Sequence, residues 1–187
     1  MGFSRFWDLV YKPSENDFAA FAADCKLVLD GIGIPLTHLT RDRANLLNTT
    51  GNGWKPTAGI YISPKEIRFD AASDGCETFC FKRQKSIEAC KTNKRPYDVC
   101  VQACLLLAKY HFSGPNCSTR ITIGSDDDHH GFDTMWGEGF EAVRQFVPMD
   151  RVCGINQNGV YLRINNVPAF QINYGNLQEF DVDVAFN

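Results

Sequence analysis

An α+β fold is expected for this chain: about three helices packed on a mixed, mainly antiparallel sheet. Apolar residues recur at helical spacing in three stretches, Phe18 to Leu29, Val99 to Tyr110 and Trp136 to Phe146. Short β-branched and aromatic runs lie between and after them, set off by Gly, Pro and Asn. The last of these runs follow one another with no helix between, which suits an antiparallel meander and not the alternation of a doubly wound sheet. At 187 residues the chain reads as one domain, 1–187, long enough to bury a real core. The strands from about residue 155 to 187 are readable also as an extension of it.

Taken in order, Gly2 to Val10 alternates loosely through Phe3, Arg5, Trp7 and Leu9 and predicts a strand, broken at Lys12 and Pro13. Ser14 is placed to cap a helix, with Asp17 as the acidic partner three residues on. Phe18, Phe21, Ala22, Cys25, Val28 and Leu29 form its apolar face, and Gly31 and Gly33 are expected to stop it. Pro35 to Thr57 holds no period and reads as a loop, with one helical turn at Arg43 to Leu47. Gly59 to Ser63, Glu66 to Asp70 and Thr78 to Phe81 are short strands in this reading. Arg120 to Gly124 is a β-branched interior strand. A third helix begins near Asp133 with Trp136, Phe140, Val143 and Phe146 on one face, weakened by Gly137 and Gly139. Gly159 to Ile164, Ala169 to Tyr174 and Phe180 to Phe186 close the chain as strands.

The stretch Cys90 to Phe112 organises the rest. A basic, turn-prone run (Lys91, Asn93, Lys94, Arg95) leads to Pro96, which suits a first helical position because its missing N–H is not needed there. Val99, Cys100, Ala103, Cys104, Leu106, Leu107 and Tyr110 then make a helix apolar over most of its circumference, hence central and covered on several sides. Its polar start gathers Lys91, Arg95, Tyr97 and Asp98 at one end of a buried rod.

Composition narrows the function classes. Net charge is −3 with Lys and Arg scattered, which argues against a nucleic-acid surface, and the basic run Lys82 to Arg95 reads as a solvated loop. No run approaches the ~20 apolar residues of a membrane span. The opening MGFSRFWDLVYKP has no uninterrupted apolar core for a signal peptide and lacks Ser or Thr at the myristoylation position. Eight cysteines without an export signal read as reduced thiols of a cytoplasmic protein, Cys25, Cys100 and Cys104 packing as small hydrophobes.

Two polar groups could carry chemistry. The loop Ser125 to Asp133 crowds Asp126, Asp127, Asp128, His129 and His130 at a strand end, and Asp126, Asp128 and His129 are its metal candidates, on neither an EF-hand nor an HExxH spacing. Asp74 and Glu77 are carboxylates that serve either as a general base or as the acceptor of an ion pair with Lys91 or Arg95. Cys76 has no local partner signature for a nucleophile, and the three-residue gaps Cys76–Cys80 and Cys100–Cys104 do not match zinc knuckles. No phosphate loop, nucleophile elbow or dinucleotide fingerprint is present.

Three words of the chain, MGFSRFW, DGCETFCF (Asp74 to Phe81) and CKTNKRPYDVCVQACLLLAKYHF (Cys90 to Phe112), with Ser125–Asp126 after the next strand, resemble a group of small hypothetical proteins of bacteria, phages and some eukaryotes. The likeness spans Met1 to Phe146 and departs from the group's pattern at Ala89, where an aromatic is usual, and at Asp127 and His129. It implies a single cytosolic domain, supplies no activity, and singles out Glu77, Lys91, Arg95, Tyr97, Asp98, Ser125 and Asp126 as ligand-binding candidates, placed as a polar pocket or as a buried salt-bridge network. The function expected is a soluble, non-catalytic binding or accessory module, without a cofactor, for a small anionic ligand or a protein partner. The alternative is a metal-assisted hydrolase or nuclease-like enzyme built on Glu77, Asp126, Asp128 and His129 around a divalent ion.

Overall fold

Arg5, Trp7 and Leu9 turn inward from one face of the first strand, and much of the architecture follows from how that face is covered. The structure is a computed structural model that describes residues 3–41, 54–112, 121–126, 132–147, 152–156, 159–164 and 167–171. Its elements in chain order are β1 (Ser4–Leu9), α1 (Glu15–Ile32), β2 (Leu36–Arg41), β3 (Trp54–Ala58), β4 (Tyr61–Ile62), β5 (Glu66–Ala71), β6 (Phe79–Lys82), β7 (Ser86–Lys91), α2 (Asp98–Phe112), β8 (Ile121–Ser125), α3 (Phe132–Phe146), β9 (Val152–Asn156), β10 (Gly159–Ile164) and β11 (Val167–Gln171). The fold is α+β, with three helices and antiparallel sheets.

The strands fall into three sheets, and every pairing among the described residues is antiparallel. β1 is the middle strand of β7–β1–β8, with Arg5 opposite Cys90 on one side and Ser125 on the other. A five-stranded sheet runs β3–β2–β5–β4, with β6 on the other edge of β5. The meander β11–β10–β9 forms the third, its strands one run earlier than expected, since β9 was not foreseen and Phe180 to Phe186 lies outside the described residues.

Helix α2 is buried all round: from Asp98 to Phe112 only Val99 and His111 are less than fully enclosed. It packs against α1, α3, β1 and β8. Beside it an aromatic cluster ties the elements together, with Phe21 at 5.0 Å from both Phe81 and Phe112, Trp7 at 5.3 Å from Phe79, and Phe69 at 4.9 Å from Phe79. Helix α1 buries the face expected of it, and the Ser14 hydroxyl accepts the Asp17 N–H at 3.1 Å to cap it.

Several expectations need correction. Pro35 to Thr57 holds two strands, β2 and β3, in place of a loop; the suggested turn at Arg43 to Leu47 lies outside the described residues. The strand period was hidden because β2 turns a polar His38 inward, its ring nitrogen 2.9 Å from the Gly59 carbonyl, and leaves Leu39 exposed. β3 tolerates Pro56 because it is an edge strand. The basic run Lys82 to Arg95 contains β7, an edge strand that points Cys90 inward and Ile87 out. Pro96 lies in the turn before α2, which begins at Asp98. Gly31 does not end α1; it sits inside the helix, where any larger side chain would overlap the Phe146 ring, and Gly33 ends it with φ 73°. Gly139 likewise permits α3, since α3 crosses α2 there with room for no Cβ between it and Gln102 and Ala103.

Candidate functional site

The chain enters α2 through a turn that most side chains resist. Asn93 and Lys94 are both left-handed, with φ 50° and 55°, a conformation Asn accepts more readily than Lys. The turn is pinned to the start of β1: the Thr92 and Asn93 N–H groups both donate to the Phe3 carbonyl at 2.9 Å, and the Phe3 N–H donates to Asn93 Oδ1 at 3.1 Å. Asp98 follows at the helix start, its N–H donating to the Arg95 carbonyl at 2.8 Å.

The Asp98 carboxylate is almost wholly buried and fully engaged. Arg5 approaches it with two nitrogens, Nε at 3.0 Å and Nη2 at 2.6 Å; the Thr92 hydroxyl donates at 2.6 Å and Gln102 Nε2 at 2.8 Å. Gln102 passes the network on, its Oε1 accepting the Gly139 N–H of α3 at 3.0 Å. The Arg5 guanidinium carbon lies 4.5 Å from the centre of the Phe3 ring and 4.7 Å from that of Trp136. Burial alone would push the Asp98 carboxyl up; Arg5, with Thr92 and Gln102, more than offsets this and holds it below the usual carboxylate value.

Tyr97 stands beside this network, fully buried, its hydroxyl donating to the Glu77 carbonyl at 2.9 Å and accepting the Glu77 N–H at 3.1 Å. Burial pushes its phenol well up, and pushes the neighbouring Cys90 thiol, 3.5 Å from the Glu77 carbonyl, to about 12. The Glu77 carboxylate accepts the Lys91 N–H at 2.8 Å and so splints β7 to the loop before β6.

In front of these buried groups lies an open groove of about 720 Å³, lined by Phe3, Asp74, Lys91, Asn93, Lys94, Arg95 and Pro96. Lys94 Nζ is 4.9 Å from the centre of the Phe3 ring. Arg95 pairs with Asp74 at 2.7 Å, both about half exposed, so the pair adds roughly 0–1 kcal/mol to stability and leaves the guanidinium accessible. Asp74 is itself left-handed, φ 56°. Asp74, Asn93 and Lys94 are the three non-glycine residues with positive φ among the described residues, and all three line the groove.

The expected site residues thus fall into three sets. Lys91 and Arg95 line the groove; Tyr97 and Asp98 are buried, with exposed Glu77 bonded to Lys91 and Tyr97; Ser125 and Asp126 lie at the end of β8 across β1, Ser125 buried and Asp126 exposed. Asp128 and His129 lie outside the described residues, and among those described no three His, Cys, Asp or Glu side chains are grouped to hold a metal ion.

No family model, curated protein or solved structure matches the chain. The residues that reading by sequence passed over are Phe3, Arg5, Thr92, Asn93, Lys94 and Gln102. Arg5 carried a signal, a charge on the apolar face of an alternating strand, where burial without a partner is prohibitive. Chemically, the described lining residues bring three cations, Lys91, Lys94 and Arg95, and one carboxylate, Asp74, to the groove.

Proposed function

We propose that this protein is a non-catalytic binding module of the cytoplasm that holds a small anionic ligand in the groove at the start of α2, on Lys91, Lys94 and Arg95. The observation that carries the proposal is the concentration of left-handed Asp74, Asn93 and Lys94 in the groove wall. Such conformations cost of order 1–3 kcal/mol each and persist where surrounding structure over-determines them, commonly at ligand clamps. Here the turn presents its cationic side chains to solvent, while its backbone is tied to Phe3 and its base to the Asp98 network. The groove has the volume of a small-molecule site, and its polar lining favours a charged ligand over an apolar one. Six free thiols among the described residues support a reducing compartment, and no described helix is long and apolar enough to cross a membrane.

Calorimetric titration of the full chain with pyrophosphate tests the reading. Binding is expected, and Lys91→Ala with Lys94→Ala should weaken it at least about tenfold, equivalent to ~1.4 kcal/mol. Absence of binding at millimolar pyrophosphate, or equal affinity in the double variant, overturns it.

A further inference from the structure

Arg5 spends Nε and Nη2 on Asp98, and its third nitrogen, Nη1, is buried with no hydrogen-bond partner. Directly across the strand pair, Ser125 is the Cα partner of Arg5, is wholly buried, and its hydroxyl also has no partner. Residues opposed in an antiparallel pair project to the same face, so the two orphaned groups share one locality. Buried polar groups without partners are rare because each forfeits its hydration. Two on one register pair make a place where a bound acceptor would restore the missing bonds. The other such atoms among the described residues, Trp7 Nε1 and Arg68 Nε, do not form a register pair of this kind, and Trp7 is packed on Phe79 and Phe81.

We infer that Arg5 and Ser125 form a seat for the oxyanion of a small carboxylate or phosphate, beneath the end of β8 and separate from the groove. The seat has two N–H groups from Nη1 and one O–H from Ser125, and so calls for an unprotonated acceptor oxygen. A water would accept from these donors but bring two hydrogens of its own needing acceptors, whereas an unprotonated oxygen of a carboxylate or phosphate takes charge-assisted bonds from the guanidinium and brings none into the seat. The Phe3 and Trp136 ring centres lie 4.5 and 4.7 Å from the guanidinium carbon, and with the two bonds to Asp98 these contacts preorganise the donors. Lys94 against the Phe3 ring brings a second cation near, and Asp126, next along the chain, is exposed, which puts the seat one residue below the surface. Phe3 also lines the groove and is the wall the two sites share.

The test is thermal unfolding of the full chain in sodium phosphate and in sodium formate, against sodium chloride at equal ionic strength, for the parent, Ser125→Ala, and the Lys91→Ala, Lys94→Ala double variant. One oxyanion should raise the Tm of the parent and of the double variant, and Ser125→Ala should need about tenfold more of it for the same rise, as loss of a hydrogen bond to a charged group implies. Without added oxyanion, Ser125→Ala should melt at or above the parent, because a stranded hydroxyl has been removed. The seat is disproved by a Tm rise no larger than with chloride, by an unchanged response in Ser125→Ala, or by a lower Tm of that variant in chloride. A response lost in the lysine variant and kept in Ser125→Ala would leave the groove reading standing and remove this one.

Discussion

Arg5 Nη2 and Asp98 Oδ2 meet at 2.6 Å between side chains only 2% and 8% exposed, joining the first strand to the first turn of the central helix. Because Arg5 and its companions hold the Asp98 carboxyl below its ordinary 3.8, the fold favours the ionised form. That contribution is complete above about pH 4 and fades as pH falls through the depressed value. Asp98→Asn should cost about 3–5 kcal/mol at neutral pH, since it strands a buried guanidinium. It should also flatten the acid limb of stability measured by urea melts from pH 7 to 2. Parallel pH profiles for parent and variant would show the pair to be uncoupled from folding.

Lys91→Met separates groove from scaffold. Only the backbone of Lys91 enters the bracing bonds, through its N–H to Glu77 and its carbonyl near Tyr97. Its stability in denaturant should stay within about 0.5 kcal/mol of the parent, the usual range for such a surface change.

Helix α3 offers one substitution with two signs. Gly137→Ala meets nothing within 4 Å and should gain up to ~1 kcal/mol from helix propensity. Gly139→Ala drives a methyl into Gln102 and the Ala103 backbone, and should lose more than that gain, with α3 displaced from α2. Paired thermal melts decide it, and equal shifts in the two variants would mean the helices do not touch there.

Leu106→Ala and Leu107→Ala each remove a side chain that is 1% exposed from a helix enclosed on every side. A loss of about 2–5 kcal/mol is expected for each in equilibrium unfolding. Variants that melt like the parent would place the helix at the periphery.

Thiol reactivity should follow burial. At pH 8 Cys76, which is exposed, should be alkylated in the native protein, while Cys90, held at about 12, and Cys25, Cys100 and Cys104, fully enclosed, should react only on unfolding. Peptide mapping after brief iodoacetamide treatment reads this directly.

The helices were the most legible part of the fold because each has a run long enough for its period to show: Phe18 to Leu29, with a Ser14 cap, could hardly be anything else. Strands β2 and β3 escaped for a physical reason, since His38 is turned in and Leu39 out, and Pro56 is admissible only once β3 is known to lie at an edge. At the site, Lys91, Arg95, Tyr97 and Asp98 were visible as a polar run at the mouth of an apolar helix. What a linear reading does not contain is that Tyr97 and Asp98 face backward into the core while Lys91 and Arg95 face the groove. That division is set by the left-handed pair Asn93–Lys94, and Lys gives no warning of positive φ.

The position of β1 has a consequence for how the molecule is made. It is the middle strand of its sheet, yet both neighbours, Ser86–Lys91 and Ile121–Ser125, come from later parts of the chain. A nascent chain must therefore carry β1 without its two neighbours until residues up to Ser125 have left the ribosome, and the loop closures that bring them to it are long and slow. During that interval the segment is a natural client for chaperones, and a deletion that clips it would remove the centre of the sheet and not its margin.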